Sequence, residues 1–159
     1  MTSKITEHFT LEEMTQSSAL LAYNKKHKTN YQNLPTRTGV EMNLHHLCMQ
    51  LEQIRAWINV PLKISSGYRS KLVNELVGGS PTSLHCQGLA ADVILPLDMI
   101  CLFVGVAMRL SFTKEVLISH NTKTGSTWVH YGCSTTEKKQ CRVGIDVNGK
   151  VTSCVHMKM

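Results

Sequence analysis

A carboxylate stands in the middle of an apolar run, Leu89-Ala-Ala-Asp92-Val-Ile-Leu95. The run reads as a buried strand over residues 90–95. A buried charge is costly unless it is paired or bound to a metal. The fold of this chain must therefore bring a partner to Asp92. His85 lies seven residues earlier, beyond a turn at Gly88, and His130 sits in a second apolar strand pattern, Trp128-Val-His130-Tyr131. Two His and one carboxylate give a tetrahedral Zn²⁺ three protein ligands and an open position for water, the arrangement of a catalytic site. A core histidine paired with a carboxylate fits the same residues, and spacing alone leaves both readings open.

The remaining patterns define an α+β chain. Thr10-Leu-Glu-Glu13 is a capping box with Phe9 and Met14 as its hydrophobic staple, opening a short helix over about residues 11–18. Residues 23–37 are polar and aperiodic and read as a surface loop, with Lys25, Lys26 and Lys28 as a solvated basic cluster. Thr38-x-x-Glu41 opens the longest helix. Its stripe of Val40, Leu44, Leu47, Leu51, Ile54 and Ile58 steps at helical period, and Pro61 marks its end. His45 and His46 read as surface residues. A strand at 62–66 leads through Gly67-Tyr68-Arg69 to a short helix at 70–77, stopped by Gly78-Gly79. Asp98 is expected to cap a helix whose face is Ile100, Phe103, Val104, Ala107 and Leu110. Strands at 116–119 and 128–131 follow. Residues 142–155 form a hairpin around Asn148-Gly149, a type I′ turn signal. Its simplest register sets Val143 opposite Cys154 and places Cys141 diagonally on the same face, with Cys133 near them. Strands and helices mix without regular βαβ alternation, which is the α+β signature.

Composition narrows the function classes. With 159 residues, 42% apolar and 18% charged, the chain has a globular composition and the length of one domain. Its net charge of +6 favours an anionic partner: nucleic acid, a membrane surface or a cell-wall polymer. No reading motif or aromatic stacking platform supports nucleic acid. No run of 18 apolar residues supports membrane insertion. The opening Met1-Thr-Ser-Lys-Ile-Thr-Glu-His-Phe lacks a signal-peptide apolar core, so synthesis in the cytoplasm is expected. Six cysteines without a C-x-x-C pair point to free thiols rather than a zinc finger or a thioredoxin site. A cysteine-rich metal site formed by Cys133, Cys141 and Cys154 is the other option for the tail.

The segment Ser83-x-His85-x-x-Gly88-x-Ala90-x-Asp92 resembles the zinc motif of the M15 peptidases. That family is the D-alanyl-D-alanine carboxypeptidase group, which includes many phage cell-wall endopeptidases. Glu7-His-Phe-Thr-Leu-Glu-Glu-Met-Thr15 is similar to the amino-terminal signature of the phage-type branch. Ser65-Ser-Gly-Tyr-Arg-Ser70, Gly78-Gly-Ser-Pro-Thr-Ser83 and Trp128-Val-His130 resemble its later blocks. The resemblance implies a peptidase domain over residues 1–132, of the Hedgehog/DD-peptidase type, with a small antiparallel sheet backed by helices. Residues 133–159 would be a C-terminal hairpin extension packed on the same domain. It also implies His85, Asp92 and His130 as zinc ligands, Arg69 facing the substrate near the scissile bond, and Ser83 beside the metal loop.

The chain departs from the family pattern at the general base. Many relatives carry an acidic residue shortly before the last His ligand, and residues 119–129 hold no carboxylate. His120 stands where several relatives have Glu and is the candidate base, with Glu115 further back. The expected function is zinc-dependent cleavage of peptidoglycan stems or cross-links by a monomer acting at the bacterial cell wall. A non-catalytic wall-binding or virion structural protein on the same fold is the alternative.

Overall fold

The computed structural model describes residues 3–158. Met1 and Thr2 of the opening segment, and Met159 at the end of the extension, lie outside the described residues. The chain runs α1 (Leu11–Thr15), α2 (Ser18–His27), α3 (Thr38–Ile58), β1 (Lys63–Ser66), α4 (Lys71–Leu76), β2 (Ala90–Ile94), α5 (Ile100–Ala107), β3 (Thr113–His120), β4 (Thr127–Cys133), β5 (Gln140–Val147) and β6 (Lys150–Lys158). One 3-10 turn, Leu84–Gln87, precedes β2, and another, Leu97–Met99, precedes α5. The strands form one six-stranded sheet in the order β1-β2-β4-β3-β5-β6. Among the described residues, no helix is long and apolar enough to cross a membrane.

The α3 stripe does what its period requires. Leu44, Leu47, Leu51, Ile54 and Ile58 are buried in one core cluster with Val93, Val116, Val129 and Tyr131 from the sheet. At about 1.5–3 kcal/mol for each large apolar side chain removed from water, this layer is the main cohesive contact of the fold. Phe103 and Ala107 of α5 join the same cluster, Phe103 meeting Tyr131 edge to face at 6.1 Å. Strand alternation then decides what the other face of the sheet carries. Val93, Val129 and Val116 point towards the helices, so Asp92 and His130 point away from them.

The structure corrects several expectations. The sheet is not wholly antiparallel, because β5 lies parallel to β3. β4 ends beside the start of β3, and the linking residues cross beneath that start, where Ser134 N donates to Phe112 O at 2.8 Å. The chain thus re-enters the sheet in the direction of β3. The first helix stops at Thr15, and α2 takes residues 23–27 of the expected loop at 23–37, leaving the rest without helix or strand. Ser17 caps α2 by accepting from Leu20 N, but Leu20 is its one buried residue, so no apolar stripe marks it in the sequence. Thr38 opens α3 as expected, and Arg37 stands at the cap position without a side-chain bond. Asp98 lies within the 3-10 turn and does not cap α5, whose cap position is Met99.

The hairpin register also differs. Asn148 and Gly149 both take positive φ, 54° and 82°, as a type I′ turn requires. An irregularity between Ile145 and Asp146 then shifts the pairing, so Gly144 faces Cys154 and Cys141 faces Met157. A one-residue slip exchanges faces: Cys141 is buried and Cys154 exposed. Cys133 is also buried, and burial pushes its thiol up to about 12. These are separate free thiols. The three do not form a metal group: the one such group among the described residues is elsewhere.

Truncating the α3 layer should destabilise the chain. Leu51→Ala is expected to lose about 2–5 kcal/mol in urea unfolding. Trp57→Ala, on the exposed side of the same helix at 74% exposure, should stay within about 0.5 kcal/mol. Equal losses would mean that α3 is not anchored through this stripe.

Candidate metal centre

Asp92 on β2 and His130 on β4 are directly opposed partners in the antiparallel ladder. They therefore share a face at the close spacing of a cross-strand pair. His85 reaches them from the 3-10 turn before β2. Nδ1 of His130 lies 3.0 Å from Oδ1 of Asp92, Nε2 of His85 lies 3.2 Å from that Nδ1, and Nε2 of His85 lies 3.4 Å from that Oδ1. Bonds of 2.0–2.1 Å in a tetrahedron put neighbouring ligand atoms about 3.3 Å apart. The three donors already stand at that spacing, and two imidazole nitrogens with one carboxylate oxygen suit zinc. The residues present fit the group.

Each donor is held from behind. Nδ1 of His85 donates to Gly67 O at 2.7 Å, which leaves the Nε2 lone pair facing the centre. Gly67 must be glycine, since a Cβ there would run into the backbone of Met14. Ser83 accepts from His85 N at 3.3 Å and caps the 3-10 turn, and Gly88 ends that turn at φ 70°. Arg69 N donates to His85 O at 3.1 Å. Behind this turn is Asn33, which is buried and fully bonded. Its Nδ2 donates to Thr15 O and Tyr68 O, each at 2.8 Å, and its Oδ1 accepts from Ser70 N at 2.7 Å. It ties α1 and the Gly67-Tyr68-Arg69 turn together. The only sequence signal for Asn33 is an amide inside a polar loop.

Arg69 is more constrained than a free substrate anchor. Its Nη2 donates to Asp92 Oδ2 at 2.7 Å and its Nε to Ser66 Oγ at 2.9 Å. It thus compensates the buried carboxylate directly. Glu115, on the same sheet face as His130, accepts from His130 Nε2 at 3.2 Å. Burial alone would raise the Asp92 carboxyl, but His85 and His130 outweigh it and hold the group far below the usual carboxylate range. Burial lowers His85. For His130 burial also acts downwards, yet the hydrogen bonds to Asp92 and Glu115 more than reverse it and lift the imidazole to about 9. Without an ion, the centre at neutral pH is a neutral His85, an ionised Asp92 and a charged His130.

The centre opens into a cleft of about 470 Å³ whose walls include Arg69, Ser83, Glu115, Ser119, Trp128 and Arg142. A second cleft of about 590 Å³ adjoins it at Arg69 and Gly79 and includes Arg37, Tyr68 and Lys71. The structure therefore brings together His85, Asp92, His130, Arg69 and Ser83. It does not bring His120 to them. His120 pairs with Thr127, two residues along from the core-facing Ile118–Val129 pair and so on the same face by strand parity, and its Nδ1 shares a 2.9 Å hydrogen bond with Thr127 Oγ1. It lies on the face opposite His130 and does not line the cleft. The end-of-strand position that suggested a base is correct, but β alternation turns the side chain away.

Among known proteins, the family described as Peptidase M15 matches the chain over residues 7–130. That span contains all three donors and ends on His130. No curated protein matches the chain.

Binding an ion at this centre requires the His130 Nδ1 proton to leave, since the group titrates at about 9. Zinc added to metal-free protein at pH 7–8 should release about one proton per site, read with an indicator dye in weak buffer. Affinity should strengthen as pH rises towards 9. Zinc uptake without proton release would show that His130 is already neutral, with its proton on Nε2, before the ion enters.

Proposed function

Because the chain belongs to the Peptidase M15 family, we propose that it is a zinc-dependent peptidase hydrolysing the peptide stems or cross-links of bacterial peptidoglycan. The observation that carries this reading is the His85–Asp92–His130 donor set, spaced for one ion at the edge of an open cleft. Zinc, when bound, supplies Lewis acidity and makes a coordinated water acidic near neutral pH. The chain's own residues supply placement. Asp92, His85 and His130 hold the ion. Arg69 fixes the Asp92 carboxylate and lines both clefts, where its guanidinium can hold a substrate carbonyl or carboxylate by charge-assisted hydrogen bonds. Ser83 keeps the His85 turn in shape, and Trp128 gives the cleft an apolar wall. The net charge of +6 suits an anionic wall polymer.

A non-catalytic wall-binding or virion structural protein is the second reading, and one observation favours it. Every cleft carboxylate already has a partner: Asp92 in the donor set, Glu115 on His130, and Asp146, whose Oδ1 accepts from Gly149 N at 2.9 Å. His120, the residue expected to act as base, is on the far face.

Digestion of purified peptidoglycan separates the two readings. New free amino groups should appear with zinc, vanish with chelator and return on zinc addition. His85→Ala should abolish both zinc content and cleavage. His120→Ala should retain cleavage within about threefold, whereas loss of a general base costs about 10²–10⁴-fold. A protein that holds zinc and sediments with wall, yet releases no amine, supports the binding reading and overturns the peptidase.

A further inference from the structure

Residues beyond the family match reach back to the metal centre. Parallel pairing of β5 with β3 sets Arg142 directly beside Glu115. Nη1 of Arg142 lies 3.4 Å from Glu115 Oε2, while Glu115 Oε1 accepts from His130 Nε2 at 3.2 Å. Nε of Arg142 donates to Cys154 Sγ at 3.1 Å, so β6 holds the guanidinium from its other side. Room for the Glu115 side chain is provided by Gly132, where a Cβ would run into Glu115 Cγ and Leu84. The line Cys154–Arg142–Glu115–His130 is continuous and ends on a donor of the centre.

We propose that Arg142 is a positioning residue for His130, acting through Glu115, so that the C-terminal hairpin is part of the metal centre. The proposal rests on the reading of His130 as a ligand through Nδ1. With Nδ1 facing the ion, the ring is oriented and its tautomer fixed by what Nε2–H meets. Glu115 meets it. A carboxylate held by one oxygen can still turn about its last bond. Arg142 engages the second oxygen, stops that rotation and keeps the first on His130. Arg142 is therefore separate from Arg69, which acts on Asp92 from the other side of the centre.

Full-length variants test this by zinc affinity, measured in competition with a chromophoric chelator. Glu115→Gln should weaken zinc binding by about 10–100-fold, the usual effect of losing a carboxylate behind a ligating histidine. Arg142→Ala should weaken it by about three- to tenfold, and Arg142→Lys should recover part of that loss. The double variant should be no weaker than Glu115→Gln alone, because the two act in series. Ring ¹H–¹⁵N correlation spectra of metal-free protein give a second readout. The His130 Nε2 proton should be protected from exchange in the wild type and exposed in Arg142→Ala. Unchanged affinity and ring signals in Arg142→Ala would overturn the proposal, as would strictly additive losses. If the wild-type chain takes up no zinc, the metal reading itself falls and the role of Arg142 in metal binding falls with it. The ring spectra then still show whether Arg142 fixes His130.

Discussion

The buried carboxylate of Asp92 is the interaction on which the rest of the structure depends. An ionised carboxylate out of water is tolerated only where opposite charge and hydrogen bonds surround it. Arg69 takes one oxygen and His130 the other, with His85 close by. The turn at Gly67, the cap at Ser83 and the buried amide of Asn33 fix those partners. Removing a single partner would leave uncompensated charge, which is more disruptive than never having buried it. The clustering of costly devices here, including a glycine pressed against Met14 and an interior Asn with three bonds, follows from that one requirement.

Asp92 and His130 of the donor set were legible because their residue types are out of place. A charge within Leu-Ala-Ala-Asp-Val-Ile-Leu and a histidine within Trp-Val-His-Tyr need an explanation, and a shared partner supplies it. The α3 stripe was legible for the opposite reason, since a long helix against a sheet repeats its pattern many times. α2 left no such trace, because it forms through its cap and local propensity and buries only Leu20. The direction of β5 was also hidden. It depends on how residues 134–139 pass the start of β3, and no periodicity encodes that.

Parity and register account for the remaining differences within the site. His120 and Glu115 are five residues apart on one strand, an odd number, so they face opposite sides of the sheet. Closeness to His130 in sequence favoured His120, while alternation placed Glu115 on the His130 face. Arg142 was out of reach for a sequence reading, because its contact with Glu115 depends on the parallel pairing. The bulge near Asp146 separated Cys141 from Cys154 in the same way. One additional residue in a strand changes which side chains meet, and short sequence patterns do not reveal it.

The strand order has a consequence for how the chain assembles. β3–β4 and β5–β6 are hairpins and can form from neighbouring residues. β1 joins β2 and β5 joins β3 over intermediate spans. β2 must find β4 across the longest stretch of any strand pair, with Asp92 and His130 separated by 38 positions. Loop-closure entropy weighs most on that pairing. It is also the pairing that brings two of the three donors together. The donor set is thus tied to the least local strand pairing of the sheet. The metal would seal a finished sheet, unlike the ion of a small zinc finger, which organises a chain that cannot fold without it.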